Sequence, residues 1–330
     1  MSIPSRPLIA LAAVALVGSL VACGATSSAG AGGATRTVTD VDGTTMTVPV
    51  HPQRVVTLSE PTLDDALALG IAPIGSTAGR GQSGAPGYLG ADAAGIVILG
   101  AVAQPDYEAI AAAKPDLILV DGTSINNNAD ALAILRRIAP TYNAGFAGGD
   151  WRANLEHAAD ALNLADRATD VERAYDAKVA AAKAELAPAY AGKTFSIVRW
   201  QGSSAALILT ELPAGVALSD LGLARPASQD HAGRGHSEPV SLENLQQIDA
   251  DYLFLGTLGG SSVGNAQAGG ESDTAAARRA VQQAEQVPGF TQLNAYREHH
   301  VIPVDGSLWT STGGPLLMER LVDSVRKELS

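Results

Sequence analysis

Glu108-Ala109-Ile110-Ala111-Ala112-Ala113-Lys114-Pro115-Asp116-Leu117-Ile118-Leu119-Val120 has a counterpart in the other half of the chain, Glu243-Asn244-Leu245-Gln246-Gln247-Ile248-Asp249-Ala250-Asp251-Tyr252-Leu253-Phe254-Leu255. From the glutamate to the aspartate before the strand, both segments span eight positions. Each reads as a helix, a short bend and an apolar strand in the same register. Leu69-Gly70-Ile71-Ala72 is echoed in the same way by Leu221-Gly222-Leu223-Ala224. A helix-to-strand unit that occurs twice predicts two lobes of similar plan, with the cleft between them as the ligand site.

Around these repeats, short β-branched runs alternate with helical patterns. Val55-Val56-Thr57-Leu58, Ile96-Val97-Ile98-Leu99 and Leu117-Ile118-Leu119-Val120 lie in the first half. Phe195-Ser196-Ile197-Val198, Ala206-Leu207-Ile208-Leu209, Tyr252-Leu253-Phe254-Leu255 and Val301-Ile302-Pro303-Val304 lie in the second. Continuous apolar runs mark strands covered on both faces, so the expected class is α/β with two Rossmann-like lobes. Between the halves, Val171, Tyr175, Val179, Ala182 and Leu186 form one helical stripe, with Asp166 as the expected N-cap and Pro188 as the expected stop. About 21 residues rising 1.5 Å each span roughly 31 Å, enough for a rigid strut between lobes.

Met1 to Ala22 carries one charge, Arg6, ahead of an uncharged run from Leu8 to Ala22, the pattern of a signal peptide. Cys23 follows Leu20-Val21-Ala22 and is the sole cysteine, so no intramolecular disulfide can form. Gly24 to Gly33 holds no large side chain and reads as a flexible tether. The expected organisation is a signal peptide over 1–22, a lipidated cysteine and tether over 23–36, a first lobe over 37–163, a connecting helix over 164–190 and a second lobe over 191–330. Removing the signal takes one basic residue of 22 and leaves 21 against 34 acidic ones, a net charge of −13. Such a balance disfavours nucleic acid as a partner.

Leu20-Val21-Ala22-Cys23 resembles a bacterial lipobox, which implies cleavage before Cys23 and acylation there. Further along come Thr39-Asp40, Val48-Pro49, Pro52-Gln53-Arg54-Val55-Val56, Ala66-Leu67-Ala68-Leu69-Gly70, Lys114-Pro115-Asp116-Leu117-Ile118, Ile138-Ala139-Pro140-Thr141, Ser241-Leu242-Glu243, Asp249-Ala250-Asp251 and Gly313-Gly314-Pro315. This ordered set resembles the periplasmic binding proteins for iron siderophores and cobalamin. The resemblance implies two α/β lobes joined by one rigid helix, little movement on binding, and delivery of the ligand to an ABC importer. It also implies that one exposed glutamate per lobe docks on arginines of a permease dimer, and Glu108 and Glu243 match those positions. Asp106 and Ser241 read as N-caps two residues earlier, and a negative charge in a first helical turn is favoured by the helix dipole in any case.

A ferric chelate brings its own oxygen ligands, so the cleft needs shape, aromatic walls and cationic donors rather than metal ligands. Arg80 in the first half, and Trp200, Arg225, Arg234 and Trp309 in the second, follow expected strands or lie in Gly-rich loops, and are the candidate ligand-binding residues. Trp309 adjoins Ser311-Thr312-Gly313-Gly314-Pro315, which resembles the family's cleft-lining C-terminal segment. Trp151 is expected to be structural. The low net charge favours a hydroxamate chelate over an anionic catecholate, with cobalamin and haem as alternatives on the same fold. Six histidines raise direct Zn or Mn capture as a third reading, with His231 and His236 in one loop and His299-His300 before a strand.

Two enzyme motifs compete. Gly79-Arg80-Gly81-Gln82-Ser83-Gly84 has the dinucleotide form G-x-G-x-x-G, but Ala85-Pro86-Gly87 follows where a helix is required. Gly260-Ser261-Ser262-Val263-Gly264 has the form of a nucleophile elbow around Ser262, and glycines continue to Gly270 in place of a helix. The expectation is therefore a monomeric binding protein with no cofactor and no catalytic residue, whose ligand is a ferric siderophore.

Overall fold

The computed structural model describes residues 33–125, 127–233, 237–259 and 271–330. The first five-stranded sheet is ordered Val97–Ile98, Gly75–Ser76, Val55–Thr57, Leu117–Val120 and Thr141–Asn143, every neighbour parallel. The second runs Glu238–Val240, Ser204–Leu207, Phe195–Gln201, Tyr252–Gly256 and Val301–Pro303. Its last three strands are parallel and its first three antiparallel. An N-terminal hairpin, Thr35–Thr39 with Thr45–Pro49, precedes the first sheet and begins within the stretch expected to be tether.

The duplicated motif is physically the same joint in both lobes. Asp116, just before Leu117–Val120, accepts the backbone N–H groups of Gln53 and Arg54 at 2.8 and 2.9 Å, immediately before the neighbouring strand. Asp251, just before Tyr252–Gly256, accepts the N–H and hydroxyl of Thr194, both at 2.9 Å, and the ammonium of Lys193 at 3.1 Å. Each carboxylate thus aligns the starts of two central parallel strands. The Leu-Gly repeat is equally literal. Ile71 N–H bonds Ala66 C=O and Gly70 N–H bonds Leu67 C=O, while Leu223 bonds Leu218 and Gly222 bonds Ser219. Gly70 and Gly222 hold φ of 84° and 74°, the left-handed geometry that ends a helix in a Schellman turn.

The repeat diverges at its helices. Tyr107–Ala113 is α-helical with Asp106 as N-cap. Its counterpart Leu242–Ile248 is two 3₁₀ turns broken at Asn244, capped by Ser241.

The connecting helix spans Ala165–Ala189, about 38 Å, longer than the sequence pattern implied. Its N-cap is Leu164, not Asp166, and Pro188 lies within the last turn rather than beyond it. Proline there removes only one late hydrogen bond, so it does not stop the helix. Tyr175, Ala182 and Leu186 of this helix are buried in one continuous apolar cluster. That cluster also holds Leu63 and Trp151 of the first lobe, Leu218 and Phe254 of the second, and Leu317 and Leu321 of the C-terminal helix Pro315–Glu328.

Replacing Asp116 or Asp251 by alanine should each lower the unfolding free energy by about 1 kcal/mol, the worth of partly exposed hydrogen bonds. The double variant should lose the sum to within about 0.5 kcal/mol, because the sites lie in different lobes. Urea unfolding of the four proteins checks both values.

Candidate functional site

Helix Glu60–Ala68 leaves strand Val55–Thr57 through Ser59, whose hydroxyl accepts the Thr62 N–H at 3.2 Å. The helix then does something unusual for nine residues: Glu60, Asp64 and Asp65 are all buried, at 2, 0 and 0% exposure. Aspartate is a poor residue inside a helix, and an unpaired buried carboxylate is costly, so these groups need specific partners.

Those partners come from the far end of the chain. Asp64 accepts the N–H groups of Leu316 and Leu317 at 2.8 and 2.9 Å, capping the C-terminal helix at its positive end, and the Tyr88 hydroxyl at 2.8 Å. One turn earlier, Glu60 accepts the Ser311 hydroxyl at 2.9 Å, the Thr312 hydroxyl at 3.0 Å and the Arg80 backbone N–H at 2.7 Å. Gly313 and Gly314 permit this approach: a Cβ on Gly313 would lie 2.5 Å from the Tyr88 hydroxyl, and one on Gly314 2.4 Å from Asp65 Oδ1. Arg320, one turn into the same helix, reaches the Tyr88 carbonyl and Asp92.

The polar groups of the first lobe lie just past the ends of its parallel strands: Glu60 after Thr57, Arg80 after Ser76, Asp121 after Val120. This is where open α/β sheets bind ligands. The second lobe answers with Arg199, near the end of strand Phe195–Gln201 and flanked by buried Val198 and Trp200. Strand alternation turns its side chain to the opposite face. There it donates to the Thr310 carbonyl at 3.2 Å and to the Ser237 hydroxyl. Burial first, and then the positive charge of Arg80, bring its guanidinium down to about 10, with Glu60 acting in the opposite sense. Arg80 meets Glu60 through its backbone N–H, and Arg199 of the second lobe meets Thr310, two residues before the Thr312 that Glu60 also holds. A separate groove of about 360 Å³ runs between the lobes, lined by Gly148, Asp150 and Arg152 on one side and Glu211, Val216 and Asp220 on the other.

Of the residues expected at the site, Arg80 is there. Trp200 and Trp309 are not, and the expectation that they wall the cleft is corrected. They are 0 and 1% exposed. Trp200 packs edge-on against Phe290 and donates to the Gly202 carbonyl; Trp309 stacks on Phe254 and donates to Ser324. Large aromatic rings bury far more apolar surface in a core than in a wet cleft. Arg225 is 8% exposed and braces the Ile208 carbonyl and Gln229, beside a cavity of about 230 Å³. Burial lowers it to about 10 against the nearby charges of Asp230 and Glu211. Arg234, His236 and Ser262 lie outside the described residues. Trp151 is buried, as expected, against Tyr175.

Among the described histidines, His157 meets the Ala144 carbonyl, His231 faces Glu238, and His300 stacks on Tyr252. Among the described residues no group of three or more His, Cys, Asp or Glu is placed to hold a metal ion. Gly79 to Gly84 closes as a tight turn, Gly79 N–H to Gly84 C=O, and leads into the 3₁₀ stretch Gly87–Ala93 rather than a dinucleotide-binding α-helix. Arg199 and the buried carboxylates were missed in the sequence. The one available signal was three acids on a short helix of otherwise core-like residues.

Two α/β lobes held by one long helix, with polar groups from both at a shared boundary, define a two-lobed solute-binding protein. The chain belongs to the periplasmic binding protein family, whose model matches residues 55–308. Bacillus subtilis (strain 168) has a relative described as a probable siderophore-binding lipoprotein, YfiY, 30% identical over 298 residues covering 88% of this chain and 86% of that one. Its Fe(3+)-citrate-binding protein YfmC is 26% identical over 335 residues, 98% of each chain. The fold matches Staphylococcus aureus SirA complexed with staphyloferrin B at a TM-score of 0.71 and 24% identity, over 89% of this chain and 98% of that one.

Asp64 sits near pH 6, raised from an ordinary 3.8 by burial against four opposing hydrogen bonds. Asp65 is raised well above 3.8 by burial and by the charges of Asp64 and Asp121, and neither of its oxygens has a hydrogen-bond partner among the described residues. A carboxyl raised on folding adds stability below its unfolded value and gives it up as pH climbs through the folded value. For Asp64 that window runs from about pH 4 to 6, and Asp65 extends it upward. Asp65→Asn should therefore be more stable relative to wild type at pH 7 than at pH 4, by urea unfolding at both pH values. Parallel profiles would count against the assignment. Asp64→Ala, which strands three donors, should cost about 3 kcal/mol or more at either pH.

Proposed function

We propose that this chain is the extracytoplasmic binding component of an ABC importer that captures a ferric siderophore between its lobes and delivers it for iron uptake. The observation that carries this reading is that Arg80 and Arg199 stand at the strand ends of the two sheets, one in each lobe, in a family of binding proteins whose named relatives are described as binding siderophores and ferric citrate. The ligand enters already chelated, so the protein supplies donors and shape to the chelate's periphery. Binding is the whole of the chain's task, and ATP hydrolysis belongs to the importer. Arg225 and Arg234 remain candidate second-lobe contacts, the first by its buried guanidinium and the second by its place in the Gly-rich loop.

The anchor in this reading is a lipid on Cys23 at the outer face of the cell membrane, and the working form is a monomer. Cys23 lies outside the described residues, and among the described ones no helix is long and apolar enough to cross a membrane. The partner is a permease dimer met by Glu108 and Glu243. Both are exposed, each in the first turn after a capped start. Exposed carboxylates at helix starts retain their charge at little cost and are suited to arginines on a facing surface.

Fluorescence-quenching titration with ferric hydroxamate, ferric catecholate, ferric citrate, haem and cobalamin tests the ligand class. Saturable binding of at least one ferric chelate, and weaker binding of haem and cobalamin, is the expected result. The Glu108→Ala/Glu243→Ala double variant should abolish cellular uptake and leave the ligand dissociation constant unchanged. Lost ligand affinity would overturn the docking assignment.

A further inference from the structure

We infer that Glu60 is the positioning residue of the cleft: its carboxylate holds the Arg80 loop of the first lobe against Ser311 and Thr312 and thereby sets how long a bound chelate stays. The inference rests on the siderophore reading of the strand-end cleft and adds to it. Glu60 is buried, so it acts through the groups it holds.

The Arg80 loop is a compact unit. Gly79 N–H bonds the Gly84 carbonyl at 2.8 Å, Gln82 N–H bonds the Gly79 carbonyl at 2.9 Å, and the Gln82 side-chain oxygen accepts the Gly87 N–H at 2.7 Å. A Cβ on Gly79 would lie 2.7 Å from Gln82 Nε2 and 2.9 Å from Pro86 Cα, so the turn is closed on itself. Its link to the carboxylate is the Arg80 N–H, which meets Glu60 Oε1 at 2.7 Å.

The far end of the chain meets the same two oxygens. Ser311 donates its hydroxyl to Oε1 at 2.9 Å and Thr312 to Oε2 at 3.0 Å, from 251 and 252 residues away, and both are buried. The segment before them is fixed in turn by the second lobe. Arg199 of strand Phe195–Gln201 donates to the Thr310 carbonyl at 3.2 Å and to the Ser237 hydroxyl, while the Thr310 hydroxyl donates to the Gly306 carbonyl at 2.9 Å. A continuous run of hydrogen bonds thus passes from Ser237 through Arg199 and Thr310 to Thr312, Glu60 and the Arg80 loop.

An apolar side chain could seal this boundary at no greater cost, because a buried charge must recover its lost hydration from its donors. What an apolar contact lacks is direction. Three charge-assisted bonds fix distance and angle on both sides of the carboxylate, and a satisfied buried network is stiff. Groups held in place before the ligand arrives need less ordering when it binds, and differences of this kind fall mainly on the dissociation rate.

The test uses the full mature chain with ferric citrate, a ferric trihydroxamate and a ferric catecholate, the most tightly bound of the three serving as the probe for stopped-flow fluorescence. Glu60→Gln keeps the shape and removes the charge. It should raise the probe's dissociation rate about tenfold, the scale of one charge-assisted hydrogen bond, and leave the association rate within about twofold. Arg80→Ala should weaken the same probe, and adding Glu60→Gln to it should change the dissociation rate little further, because the two act as one unit. A general loss of packing would act alike in both backgrounds. Thr312→Val, which removes one donor and leaves the carboxylate, should show a smaller effect in the same direction, and serves if the glutamine variant does not fold. An unchanged dissociation rate in folded Glu60→Gln, or in Thr312→Val where that protein does not fold, overturns the inference and leaves the siderophore reading standing. So does an Arg80→Ala variant that binds as wild type does, or an equal Glu60→Gln effect with and without the Arg80 side chain. Wild type that binds none of the three ferric chelates overturns the siderophore reading itself.

Discussion

The carboxylate of Asp64 at the start of the C-terminal helix is the contact on which the rest of this structure depends. It joins positions 252 and 253 residues apart in the chain, in a site from which water is excluded. A buried helix start without a cap would leave its first N–H groups unpaired, and a buried carboxylate without donors would be as costly. Each group resolves the other's deficit. Glu60 repeats the arrangement one turn away with the two hydroxyls that precede Gly313-Gly314-Pro315. The two lobes are therefore joined twice, by the connecting helix and by this carboxylate clamp, with one apolar cluster running beneath both. A protein joined in this way keeps its strand ends in a fixed relation, which suits a preorganised binding cleft.

The same clamp shapes the electrostatics of the boundary. By engaging Glu60 and Asp64 with hydroxyl and backbone donors, the fold keeps two buried carboxylates paired where its lobes meet. The buried acids carry a cost, seen in the raised values of Asp64, Asp65 and Asp121. That cost sits at the functional boundary, where local stability is commonly given up for geometry.

Much of the architecture was legible because it is encoded locally. The apolar runs became strands of the two sheets, central for Val55–Thr57, Leu117–Val120, Phe195–Gln201 and Tyr252–Gly256 and at the edges for Val97–Ile98 and Val301–Pro303, and the Leu-Gly pairs became two Schellman turns with the same hydrogen bonds. The aspartates at 116 and 251, noticed only as matching letters, proved to be matching joints between parallel strands. The helix after Glu243 was less legible, since its 3₁₀ form depends on how Leu245 and Ile248 pack against the second sheet. The tryptophans were misjudged for a related reason. A tryptophan beside a sheet can face a cleft or a core, and nothing in its immediate neighbours decides between them until Phe254 and Phe290 are known to lie alongside.

By itself, the sequence determined two lobes, the strut between them and the exposed glutamate at the start of each repeat, because each is written in periodicity, spacing or a cap within a few residues. Only the tertiary structure decided which polar groups meet. Arg199 looked like a strand residue, and Glu60, Asp64 and Asp65 looked like misplaced charges on a core helix. Their partners lie far away in the chain, Thr310 for Arg199 and Ser311 to Leu317 for Glu60 and Asp64, and the energy of a charge depends on what lies within a few ångströms in space, however far away that is in the chain.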